Sequence, residues 1–174
     1  ERTREVRIQG ARASSQEDLA RELHVCWLTP RMDRVFIDSP AGRRRFFDRL
    51  VMGFDPTHAT RLSAYHRSLA ERARLLRYRS DESGWLDALE RTMSENAVAI
   101  SASRRETLWK LNKSLASPLG NLFPSATIRL VGSVEEWLED LPALEVEERL
   151  CRAFAEARLQ DTERGGSSVG THRT

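Results

Sequence analysis

The chain has 174 residues, is 40% hydrophobic and 31% charged, and carries a formal net charge of +2 at pH 7. That length supports one domain with a real core. No apolar run approaches the ~20 residues that a membrane span requires, and behind Glu1-Arg2-Thr3-Arg4 there is no apolar stretch of the kind a secretory signal needs. These features point to a soluble, cytoplasmic protein. The lack of an initiator methionine points to a fragment or a processed chain. Cys26 and Cys151 are the only cysteines, far apart and without a CxxC spacing, so they read as packed thiols in a reducing compartment and not as a disulfide or metal site.

The small net charge hides an uneven layout. Thr29 to Arg79 holds 12 Arg against 5 acids, net +7, whereas Gly132 to Glu163 holds 3 Arg against 10 acids, net −7. A basic half and an acidic half suggest an anionic partner at one end of the molecule. Only Lys110 and Lys113 are lysines among the 28 basic residues. A GC-rich genome accounts for that bias as readily as phosphate recognition by the arginine fork does.

In chain order, Glu5 to Gly10 alternates and ends on a turn residue, which predicts a short strand. Ser14-Ser15-Gln16-Glu17 has the form of a capping box and predicts a helix running to Leu23. His24-Val25-Cys26-Trp27-Leu28 predicts a buried strand, with His24 a structural residue at its edge. Thr29-Pro30 and Ser39-Pro40 each set a capping residue before a proline at a first helical position. A short helix over Arg31 to Ile37 and a longer one over Ser39 to Gly53 follow. In the latter, Phe46, Phe47, Leu50 and Val51 share a face, and Arg43, Arg44, Arg45 and Arg49 spread around the rest.

Thr57 to Arg79 contains no Pro or Gly, and Leu62, Tyr65, Leu69, Ala73 and Leu76 recur at three- and four-residue steps. After the polar break Tyr78 to Gly84, a second periodic run takes in Leu86, Leu89, Met93, Ala97, Ile100, Leu108, Leu111 and Leu115. Two long amphipathic helices with a short polar loop predict an antiparallel hairpin. Arg104 interrupts its apolar seam, so the hairpin frays or meets another element there. Ala126 to Gly132 reads as a strand, and Ser133-Val134-Glu135-Glu136 as a capped helix start with acids in the first turn. Pro142 kinks or divides the helical region from Trp137 to Leu159. The Gly- and Ser-rich stretch from Gly165 to Thr174 predicts a flexible end. The fold class is α+β, mainly α, with a few short strands.

Several of these stretches together resemble the middle of the RecF family, SMC-like relatives of the ABC ATPases. Val6-Arg7-Ile8-Gln9-Gly10 is similar to the family's VRI.G strand, and Leu28-Thr29-Pro30 to its TP turn. Arg43-Arg44-Arg45-Phe46-Phe47-Asp48 is similar to its RR.FLD segment. Tyr65 to Leu69, with Arg72 and Leu75-Leu76, resembles Y…L.QRN.LL. Trp85, Leu89, Val98, Ile100 and Arg104-Arg105 resemble the second arm, and Gly170-Thr171-His172-Arg173 the GPHR turn. Ala73 stands where the family usually has Asn, Ala97 where Gly is common, and Thr171 where it has Pro. Cys26 and Arg31 depart from the polar or acidic pair common around the TP turn.

The resemblance implies a short coiled-coil arm and a helical lobe of an SMC/ABC-type ATPase head. It divides the chain into a head edge (1–38), a basic helix with the arm (39–131), and an acidic segment returning to the head with a flexible end (132–174). It implies a DNA repair and replication protein of the SOS response that binds single-stranded DNA, gapped DNA or single-strand/double-strand junctions. Such proteins help load RecA together with RecO and RecR, use ATP and Mg²⁺, and dimerise with ATP when full length. Within this chain there is no GxxxxGK[ST] loop, no strand ending in an Asp pair, and no signature sequence. The chain alone is therefore expected to bind no ATP or Mg²⁺ and to hydrolyse nothing, although the family is a weak ATPase. Candidate DNA-binding residues are Arg43, Arg44, Arg45, Arg49, Arg67, Arg74 and Arg77. Arg72 and Arg79 also fall along the first arm as part of an exposed charged face. His58 and His66 read as surface residues, and His172 as part of the flexible end. No Ser/His/Asp or Cys/His set suggests catalysis. The alternative is a helical-hairpin module for protein contacts, with Leu62, Leu69, Leu89 and Met93 serving assembly.

Overall fold

The structure is a computed structural model. It describes residues 5–13, 18, 22–23, 35, 37, 39–78, 83–116 and 125–173. The helix expected after Ser14, the strand His24 to Leu28, the Thr29-Pro30 turn, most of the helix expected from Arg31, and Cys26 and Arg79 lie outside the described residues. The chain forms two compact units, Glu1–Ala59 and Thr60–Thr174.

In the first unit the expected single strand is a hairpin. β1 (Arg7–Ile8) pairs antiparallel with β2 (Ala11–Arg12), with Arg7 opposite Arg12 and Ile8 opposite Ala11. Gln9 at φ 50° and Gly10 at φ 86° make the turn. Two successive positive φ values are those of a type I′ turn, whose twist matches the strands it joins. α1 (Pro40–Met52) begins as the sequence predicts: Ser39 Oγ accepts from the Gly42 amide at 3.3 Å, and Pro40 occupies the first turn. Gly53 ends it. Val51 is fully buried, and Phe46, Phe47 and Leu50 are half-buried. The expectation of a surface His58 is overturned. His58 has no exposed area, and its Nε2 lies 2.9 Å from Asp48 Oδ1. Asp55 caps the next helix by accepting from the Thr57 amide at 2.9 Å.

That helix is α2 (His58–Tyr78), and α3 (Ser83–Leu115) follows the break. Side-chain pairing shows their direction. Arg61 meets Ser103, Arg72 meets Glu90, and Leu75 and Leu76 meet Leu86. Rising numbers on one helix meet falling numbers on the other, so the pair is antiparallel. At 1.5 Å per residue, the 33 residues of α3 span about 50 Å.

Past α3 come α4 (Ser133–Asp140), α5 (Ala143–Glu156) and α6 (Arg158–Arg164). Pro142 sits at the N-cap of α5 and separates it from α4. The core lies where α5 and α4 cover the hairpin. Tyr65, Met93, Ile100, Val134, Val146, Leu150 and Phe154 are fully buried there, with Leu62 and Leu69 packed against them. The arm seam is thus consumed by the chain's own core.

Sequence expectations fail at several points in this unit. Residues 126–131 carry no ladder partner among the described residues and are not a strand. Their backbone is held instead by a side chain, because Asn112 Oδ1 accepts from Ile128 N and Asn112 Nδ2 donates to Ile128 O, both at 2.9 Å. The Gly- and Ser-rich end is also not loose. Ser167 and Thr171 are buried, and Thr171–Arg173 forms a 3-10 turn.

Candidate nucleic-acid interface

The arginines singled out by sequence fall on two elements. On α1, Arg43, Arg45 and Arg49 are exposed and Arg44 is half-buried. Arg45 and Arg49 are one turn apart, on the side away from Phe46, Phe47 and Leu50. On α2, Arg67, Arg74 and Arg77 are exposed. Their seven- and three-residue steps align them along one face. Arg74 bonds Glu71 through both Nε and Nη2, and Arg67 Nε reaches Ser63 O at 3.4 Å. The Arg74 guanidinium in turn holds the Glu71 carboxyl below its usual range. His66 is exposed as expected.

Arg72 is not on that face. It is 1% exposed and sits at the centre of a buried ionic hub. Its Nε donates to Glu90 at 2.8 Å, its Nη1 to Asp161 at 2.7 Å, and its Nη2 to Phe154 O at 2.7 Å. A buried guanidinium is tolerated only when its donors find acceptors and a counter-charge. Here two carboxylates and a carbonyl supply both. Arg158 Nε adds a second bond to Glu90 at 3.0 Å. Asp161 also accepts from Ser168 N and Ser168 Oγ at 2.7 Å each. Burial pushes the Asp161 carboxyl up. The hydrogen bonds from Ser168 and Arg72 outweigh that and leave it below the ordinary carboxylate range.

Arg104, the residue that breaks the seam, meets the C-terminal turn. Its Nη1 donates to Thr171 O at 3.0 Å and to Thr171 Oγ1 at 2.7 Å, with Glu135 Oε1 at 3.6 Å. Ser101 Oγ donates to Glu135 at 2.7 Å and lies 2.9 Å from Thr171 Oγ1. Beside this group, His172 Nδ1 is 2.8 Å from Tyr65 Oη, and its Nε2 is 3.3 Å from Ser167 O. A carbonyl can only accept, so Nε2 carries the proton and Nδ1 accepts from the phenol. Burial raises the Tyr65 pKa, which keeps that phenol a donor. Hub and turn were missed by sequence reasoning because their partners lie up to 107 residues apart. The one available signal was Arg104 inside an apolar seam. Among the described residues no group of three or more His, Cys, Asp or Glu is placed to hold a metal. No helix among them is long and apolar enough to cross a membrane.

A helical lobe bearing an antiparallel hairpin is a fold this chain shares with solved structures of a recombination mediator. The relatives narrow that class, because nearly the whole chain is similar to part of RecF proteins. It is 43% identical over 176 residues to the DNA replication and repair protein RecF of Mesorhizobium japonicum, a match that takes in 98% of this chain and 45% of the relative. It is 38% identical over 173 residues to the protein of the same name from Rhizobium meliloti, covering 99% and 46%. It thus spans just under half the length of these curated relatives. Among solved structures, the recombination mediator RecF with an ATP analogue superposes at a TM-score of 0.81 with 19% identity, over 96% of this chain and 46% of that one. RecF with ATP superposes at 0.74, also with 19% identity. No family model matches the chain.

Proposed function

We propose that this chain is the helical lobe and arm of a RecF-like DNA replication and repair protein. In the intact protein it works in ATP-dependent binding to gapped DNA or single-strand/double-strand junctions, and helps load RecA with RecO and RecR. ATP, Mg²⁺ and the ATP-dependent homodimer are assigned to the intact protein and not to these residues. The segment supplies the arm and DNA contacts, with Arg43, Arg44, Arg45 and Arg49 on α1 and, taken separately, Arg67, Arg74 and Arg77 on α2 as the phosphate contacts.

The observation that carries this reading is the two-sided character of α1. Phe46, Phe47 and Leu50 are at least half-buried, while Arg43, Arg45 and Arg49 remain exposed. Guanidinium groups on a helix anchored by its other side bind phosphate without reading sequence. Fluorescence anisotropy with a labelled gapped duplex across a salt series tests it. Each phosphate contact contributes about 0.9 to the slope of log affinity against log salt. Arg43→Ala/Arg44→Ala/Arg45→Ala should therefore weaken binding and flatten the slope by about 2–3. An unchanged slope removes the assigned role.

A protein-docking arm is the second reading, and one feature favours it. A groove of about 450 Å³ runs over Leu75, Leu76, Leu86 and Leu159, and Leu159 is 83% exposed. If the folded chain shows no DNA binding at low salt, this reading replaces the first.

A further inference from the structure

We infer that the C-terminal end of α3 carries a stacking site for single-stranded nucleic acid, built on Trp109 and flanked by Lys113, Lys110 and Arg129. It rests on the DNA-binding reading above and adds to it a contact that none of the candidate arginines provides.

Trp109 is 62% exposed on the surface of α3. Lys113, one turn on, places its Nζ 5.1 Å from the centroid of the indole. Lys110 lies next to Trp109 in sequence and pairs with Glu106 at 2.8 Å. These are the two lysines of the whole chain. Asn112, on the same stretch of helix, pins Ile128 by both of its backbone groups. That bond brings the adjoining exposed Arg129 to the same end of α3. Lys113 thus lies within cation–π distance of a large exposed aromatic surface, with Lys110 beside it in sequence and Arg129 next to the pinned Ile128.

This pairing of chemistry suits one kind of ligand. Nucleobases stack on an aromatic face whatever their identity, and the cations beside it track the phosphates. The ammonium over the indole adds a cation–π contact that holds the ring in place. A duplex keeps its bases stacked on one another, so a lone indole on a convex helix gains a base only from a single strand. Trp85 provides the contrast within the same helix. It is 56% exposed, but its sequence neighbours Asp81, Glu82 and Asp87 are acids that repel phosphate.

The test uses the 174-residue chain with a fluorescein-labelled oligo-dT and, separately, a blunt duplex of equal length, at one fixed salt concentration. Trp109→Ala should weaken oligo-dT binding about tenfold and leave duplex binding unchanged. Trp109→Phe should retain most of the affinity, Lys113→Ala should lose part of it, and Trp85→Ala should lose none. Circular dichroism of each variant establishes that the fold persists. An oligo-dT affinity untouched by Trp109→Ala overturns the site, as does an equal loss on duplex or a wild-type chain that does not bind oligo-dT. If Trp109→Ala has no effect while the triple arginine variant loses the gapped duplex, the stacking site falls and the arginine surface stands. The reverse pattern removes the arginine assignment and keeps the stacking site.

Discussion

Gly170 and Tyr65 are fitted to each other at the centre of the larger unit. A Cβ on Gly170 would lie 2.2 Å from Tyr65 Oη and 3.3 Å from Phe154 Cζ. Gly170 also holds φ at +119°, a conformation side chains rarely adopt. Backbone strain and overpacking each cost about 1–3 kcal/mol, so Gly170→Ala should destabilise the chain by about 3 kcal/mol in urea unfolding. Because the clashing atom is the phenol oxygen, Tyr65→Phe in the same chain should return part of that loss. A double-mutant cycle showing strict additivity would mean that the two residues do not meet.

The Arg72 hub makes a prediction of the opposite kind, in which removing a charge is costly because its partners stay. Arg72→Met leaves Asp161 and Glu90 buried, with Ser168 and Arg158 as their remaining partners. Breaking a buried pair from one side costs about 3–5 kcal/mol. The midpoint of urea unfolding should fall accordingly, whereas Arg67→Met on the exposed face should change stability by less than about 0.5 kcal/mol. Equal effects of the two substitutions would contradict the burial of Arg72.

The contrast between these two arginines also shows what a sequence reveals and what it hides. The arm was legible because Leu62, Leu69, Leu86 and Met93 recur at helical spacing, and the same periodicity placed Tyr65 on the packed side. Arg72 and Arg104 were opaque. A charged residue ordinarily faces water, and the acceptors that make burial tolerable belong to other helices: Asp161 is 89 residues from Arg72, and Thr171 is 67 from Arg104. His58 was misread for the same reason, with its partner Asp48 on the preceding helix. The end of the chain looked flexible from its Gly and Ser content. Those residues instead give the turn its shape, with Gly165 and Gly170 at positive φ and Ser167 and Ser168 serving as hydrogen-bond partners. Of the candidate interface, residue type and exposure on α1 and α2 were legible, but Trp109 was not, since exposure of an aromatic in a helical run has no sequence signature.

Asp161 sets a pH dependence whose sign follows from its lowered pKa. A carboxyl held below its ordinary value of 3.8 contributes stability above that value and loses it as pH falls through the lower folded pKa. Asp161→Asn carries no such titration. At pH 6 the variant should be less stable than the parent by about 1.5–3 kcal/mol, the worth of hydrogen bonds to a charged group. The gap should close as pH falls below the ordinary carboxyl value of 3.8 and through the lower folded pKa. Urea unfolding at several pH values reads this directly, and a gap that stays constant into acid would show that the Asp161 charge is not what the hub uses.

Asn112 makes a local prediction. Its amide supplies both the donor and the acceptor that a neighbouring strand would otherwise offer to Ile128, each at 2.9 Å. A side chain thus stands in for one rung of a β-ladder and holds the backbone at Ile128 without a sheet. Each such bond has a net worth of about 0.5–1.5 kcal/mol, so Asn112→Ala should cost about 1–3 kcal/mol locally. The global cost should be smaller, since the core of α3, α4 and α5 does not depend on this segment. Hydrogen exchange separates the two. In Asn112→Ala the Ile128 amide should exchange at least tenfold faster, while amides in the middle of α3, around Ala97 and Ile100, keep their protection. Protection of Ile128 that survives the substitution would mean that another group holds this segment in place.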